Sequence, residues 1–71
     1  MTYSNRSIAY NLAVEAARRT TAWEFEDFCI EVRDAVAAEV NRLFQDPDLR
    51  MEIMTEVENL DYQDLYTYRP E

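Results

Sequence analysis

The fold turns on residues 21–45, TAWEFEDFCIEVRDAVAAEVNRLFQ. Within that stretch Phe25, Phe28, Cys29, Val32, Val36, Val40 and Leu43 recur at steps of three and four, the spacing that lines one face of an α-helix. Trp23, Ile30, Ala37 and Phe44 form a second column at seven-residue steps on the flank of the first. Together the two columns cover more than half the circumference. A helix so broadly apolar belongs at the centre of a small fold, touched by neighbours on two sides. Thr21 and Glu24 stand at the spacing of a capping box, which would start the helix near residue 22.

Upstream, Ile8, Ala9, Leu12, Ala13 and Ala16 share a face of a first helix running from about Ser4 or Ser7 to Arg19. Its alanines would let another helix approach closely. Arg18 and Arg19 fall in its last turn, where positive charge complements the helix dipole. Downstream, Asp46, Pro47 and Asp48 are the clearest local signal. Asp46 is suited to cap, proline fits the first helical position, and Asp48 places negative charge in the first turn. A third helix then runs to about residue 59, burying Leu49, Ile53, Val57 and Leu60, with Met51 and Met54 to one side. Asp61 and Asp64 open a short fourth helix or tail that reaches Tyr68 and stops at Pro70.

The expected fold is all-α: a small three-helix bundle with a long central helix and a short C-terminal helix or tail, in one acidic domain over residues 1–71. An equally simple arrangement pairs the second helix with its own copy in a homodimer. Glycine is absent and no Asn-Gly pair occurs, so the tight turns of a β-hairpin fold have no residues to form them. Nearly half the residues are hydrophobic, 48%, which is too many for a disordered chain. No apolar run approaches the roughly 20 residues that span a bilayer. No leader pattern opens the chain, and one thiol fits a reduced compartment, so a cytoplasmic setting is expected.

Chemistry is argued down residue by residue. Histidine and lysine are both absent, which removes the usual acid–base groups. Without glycine there is neither a phosphate-cradling loop nor a nucleophile elbow. Cys29 is the only cysteine and lies between Phe28 and Ile30 on an apolar face, where a thiol is normally inert. One thiol without histidine makes no zinc site. The expectation is a protein that is not an enzyme and uses no metal or cofactor.

Charge is the informative feature. The chain carries seven arginines and fifteen acids, a net charge of −8. Three arginines face only Glu15 in the first 23 residues, whereas four face fourteen acids in the remainder. Such an acidic surface is unsuited to nucleic acid or an anionic membrane and suited to a basic protein or nucleoprotein complex. Glu24, Asp27, Glu31 and Asp34 stand at steps of three and four, away from the apolar face. They are spaced about 5 Å apart along a helix, the same order as the roughly 3.4 Å between phosphates on a DNA strand. Asp48, Glu52 and Glu56 repeat the device on the third helix, and Asp61 and Asp64 continue it. The same acids would serve plain solubility.

The tail, DYQDLYTY at 61–68, interleaves Tyr62, Tyr66 and Tyr68 with acids. Aromatic residues at that density are typical of interfaces and equally of a lid over a thin core. Tyr3 and Tyr10 would join this patch if the two ends of the chain meet. Candidate partner-binding residues are therefore Glu24, Asp27, Glu31, Asp34, Asp48, Glu52, Glu56, Asp61, Tyr62, Asp64, Tyr66 and Tyr68. The type is that of the short acidic proteins with which phages and mobile elements block nucleases, CRISPR effectors, restriction enzymes or polymerases. The competing expectation is a homodimeric adaptor joined through the second helix.

Overall fold

The computed structural model describes residues 4–70. They form four helices: α1 (Asn5–Arg19), α2 (Phe25–Leu43), α3 (Pro47–Glu58) and α4 (Tyr62–Tyr66). Among the described residues there is no strand, and the bundle measures 34 × 21 × 17 Å. Expectations for Met1–Tyr3 and Glu71, including a place for Tyr3 in the tyrosine patch, lie outside the described residues.

Three of the four helix starts follow from capping side chains. Ser4 Oγ accepts the Ser7 amide at 3.1 Å. Asp46 accepts the Asp48 amide at 3.0 Å, ahead of Pro47 at the first helical position. Asp61 accepts the amides of Gln63 and Asp64. Each satisfies donors that a helix end otherwise leaves open.

The fourth start departs from expectation. No capping box forms at Thr21 and Glu24. Glu24 occupies the N-cap without a side-chain bond, and α2 begins at Phe25. The preceding amides are taken by other side chains instead, one local and one from within α2. Thr20 Oγ1 accepts the Ala22 amide at 3.2 Å, and Glu31 accepts the Thr21 amide at 3.1 Å. These bonds hold residues 20–24 as an extended link, so the helix starts three residues late.

Packing is organised by a column of alanines. Ala9, Ala13 and Ala17 of α1 are fully buried, four residues apart on one face. Ile8, Leu12 and Ala16 flank them, only partly buried. The buried line is thus rotated from the predicted face and includes Ala17, because closest approach falls on the smallest side chains. Both α2 and α3 pack extensively on this helix, more so than on each other. From α2 come Phe28, Val32, Val36 and Val40, the heart of the predicted stripe, and from α3 come Ile53 and Val57. Leu65 of α4 closes the end of the core. α2 meets α1, α3 and α4, but Phe25 and Leu43 of its predicted stripe and Ile30 on the flank remain exposed.

Candidate functional site

The tyrosine tail is built into the bundle. Phe28 sits 5.0 Å from Tyr66, ring centre to ring centre, nearly perpendicular, and Phe25 meets the same ring edge-on at 5.5 Å. Such edge-to-face pairs add to the energy of burial itself. The Tyr66 hydroxyl donates to the carbonyl of Trp23, tying α4 to the link before α2. Tyr62 donates to the Val57 carbonyl at 2.8 Å. Tyr68 and Tyr10 join their hydroxyls at 3.1 Å, and Tyr10 also reaches Asp64 at 3.3 Å. The predicted meeting of Tyr10 with the tail is present. Hydrogen bonding to Tyr68, followed by burial and the nearby Asp64, pushes the Tyr10 phenol up to about 12. Burial also raises Tyr62, against the opposing charge of Arg33.

Arginine placement decides the electrostatics. Among the described residues, only Arg42 pairs with a carboxylate, reaching Glu39 at 2.7 Å. Arg50 binds the carbonyls of Phe44 and Asn41 at the end of α2. Arg69 lies over the Tyr66 ring at 3.9 Å and the Trp23 ring at 5.2 Å, donating to the Ala22 carbonyl. Arg18 stands over Tyr68 at 5.6 Å. The arginines that do find partners go mainly to rings and carbonyls, which leaves most of the acids without an ion pair among the described residues.

The two acidic rows differ in consequence. On α2, Asp27, Glu31 and Asp34 are exposed and line one shallow groove of about 450 Å³ with Ala22 and Ile30. Glu24 precedes them, exposed at the N-cap. On α3, Asp48 is exposed and Glu56 half-buried, while Glu52 accepts from Asn5 of α1 at 3.0 Å. Asp61 and Asp64 are occupied by the cap and by Tyr10. The more open acidic surface is that of α2, where Asp27 and Asp34 have no bonding partner among the described residues and Glu31 accepts the Thr21 amide. The row on α3 and the pair at α4 are partly engaged in holding the fold.

The seven-residue column splits in two. Trp23 is 75% exposed and Ile30 49%, whereas Phe44 packs against the core and Ala37 is half-buried. Cys29 is half-buried beside Ile30, Arg33 and Tyr62, and burial raises its thiol above the ordinary value. Among the described residues no group of three or more His, Cys, Asp or Glu converges to hold a metal ion. None of the helices described is long and apolar enough to cross a membrane.

No protein-family model, curated protein or solved structure matches the chain.

Proposed function

We propose that this chain is a non-enzymatic binding protein that inhibits or modulates a basic nucleic-acid-binding protein or complex by occupying its basic groove. The observation that carries the reading is the use of arginine. A fold that needed its acids only for solubility would gain by pairing some of them with its seven arginines. Here one ion pair forms among the described residues, and Asp27, Glu31 and Asp34 stand exposed side by side. Like charges at this spacing cost a helix a few tenths of a kcal/mol per pair, a cost that a basic partner would reverse on binding. A phage or mobile-element origin and a reduced, cytoplasmic setting go with this reading. The target would be a nuclease, CRISPR, restriction or polymerase machine.

The test is affinity capture from host lysate at low salt, followed by competition with DNA. A retained nucleic-acid-binding protein that DNA displaces supports the proposal. Capture that DNA leaves unchanged contradicts it.

A second reading rests on a different face. Between α1 and α2, a groove of about 480 Å³ is lined by the apolar Leu12, Ala16, Ala35 and Ala38 and by Glu15, Glu31, Glu39, Arg19 and Arg42. Both signs of charge occur there, so a second copy would meet opposite charges. In this reading the protein is a homodimeric adaptor joined through α2. Sedimentation over a range of concentrations separates the two: a single monomeric species sinks the dimer.

A further inference from the structure

Asp27, Ile30 and Asp34 fall at steps of three and four on α2, so an apolar side chain stands between two acids along one outer stripe, with Trp23 exposed in the link before the helix. Glu31 stands beside them. Inside the bundle Phe28, Ile53 and Leu65 are fully buried, yet the single tryptophan is left 75% exposed and Ile30 half exposed. We propose that this stripe docks a cationic amphipathic helix of the partner protein. An apolar side chain of that helix seats between Ala22 and Ile30, and arginines or lysines on either side of it pair with Asp27, Glu31 and Asp34. The inference rests on the acidic-surface reading and adds the form of what binds.

Charge complementarity selects the occupant. The three carboxylates form no ion pair among the described residues, so nucleic acid and anionic lipid are repelled and a cationic segment is attracted. The apolar members of the stripe select further. Arginine and lysine carry long aliphatic stems beneath their charged heads, which suits a ridge where apolar and acidic positions alternate. From Asp27 to Asp34 the stripe covers about 10 Å, two helical turns, the contact length of one short helix. Exposed tryptophan is also the residue type most enriched among those that dominate binding energy. Trp23 is held in place before any partner arrives. Its carbonyl accepts from Tyr66, and its ring lies beside the Arg69 guanidinium, so little ordering remains to be done on binding.

The experiment uses the full chain and two synthetic tryptophan-free helical peptides with equal arginine content. One carries leucine at two positions seven residues apart, and the other carries serine there. Trp23, the only tryptophan in the chain, reports binding by its own fluorescence. The leucine peptide is expected to bind at least about tenfold more tightly, with a blue shift of Trp23 emission. The Ile30→Ser variant, changed at an exposed position and checked for helicity, should lose that preference while binding the serine peptide as before. Equal affinities with unmoved Trp23 emission overturn this inference and leave the acidic-surface reading standing. Failure of both peptides to bind at low salt overturns both.

Discussion

Arg50 donates from Nε to the carbonyl oxygen of Phe44 and from Nη2 to that of Asn41, the latter at 3.2 Å. A positive group reaching across from α3 therefore closes the C-terminus of α2, where carbonyls lack intrahelical partners and the helix dipole is negative. The same guanidinium is thereby withheld from the acids around it. Hydrogen bonds to a charged donor contribute about 2 kcal/mol. Arg50→Gln should lower unfolding free energy by about that much in a denaturant titration, whereas Arg6→Gln, exposed on α1, should change it by less than about 0.5 kcal/mol.

The alanine column makes a steric prediction. Ala13 is fully buried in the middle of the alanine column of α1, the helix on which α2 and α3 both pack. Ala13→Leu adds three heavy atoms with no room and should cost about 1–3 kcal/mol, or more if the helices are forced apart. Ala38→Leu, on the exposed side of α2, should leave the monomer's melting temperature nearly unchanged. Equal losses at the two positions would contradict the packing described.

Alkaline pH should loosen the contact between α1 and the residues that follow α4. Tyr10 has its phenol raised from 10.0 to about 12, first by its bond to Tyr68. A raised phenol pKa means that the folded state keeps a proton the unfolded state has released. The stabilisation is whole below pH 10, declines as pH rises from 10, and is gone above about 12. Thermal midpoints should therefore fall through that window, and Tyr10→Phe should flatten the fall. Parallel curves for the two proteins would show that the Tyr10–Tyr68 pair does not contribute.

Asp61 caps α4 through the amides of Gln63 and Asp64. Asp61→Ala should cost about 1 kcal/mol. It should also free Tyr66 from the Trp23 carbonyl, since α4 is only five residues long and lacks cooperative stability of its own. A shift in Trp23 emission at temperatures well below unfolding would report that local release.

Much of this architecture is legible in the residues. The 3.6-residue recurrence of Phe28, Val32, Val36 and Val40 marks the core face of α2, and Asp46, Pro47 and Asp61 mark helix starts within a residue or so. Local rules failed where tertiary contacts competed with them. Thr21 and Glu24 have capping-box spacing, but Glu31 takes the Thr21 amide and the box never closes. Hydrophobicity favoured Ile8 and Leu12 over Ala17 as the contact line of α1, because periodicity cannot measure how closely two helices will approach. The acids were readable as a row from spacing alone. Which of them stay open was not, since that depends on Asn5 reaching Glu52 and Tyr10 reaching Asp64 across the fold. Nor does any sequence pattern reveal that Arg50 and Arg69 turn to carbonyls and rings. The exposed stripe of Asp27, Ile30 and Asp34 was present in the spacing, but it separates from the core only once α1, α3 and α4 pack on the other faces of α2.

The central claim is that open carboxylates on α2 bind a basic partner. The direct measurement is the affinity for the captured nucleic-acid-binding protein as salt concentration rises, for the natural chain and for a variant with Asp27, Glu31 and Asp34 each changed to arginine. The account predicts a steep loss of affinity with salt for the natural chain and no measurable binding for the variant, which should retain its helicity. Affinity that stays flat with salt, or a folded variant that binds as well as the natural chain, would contradict it.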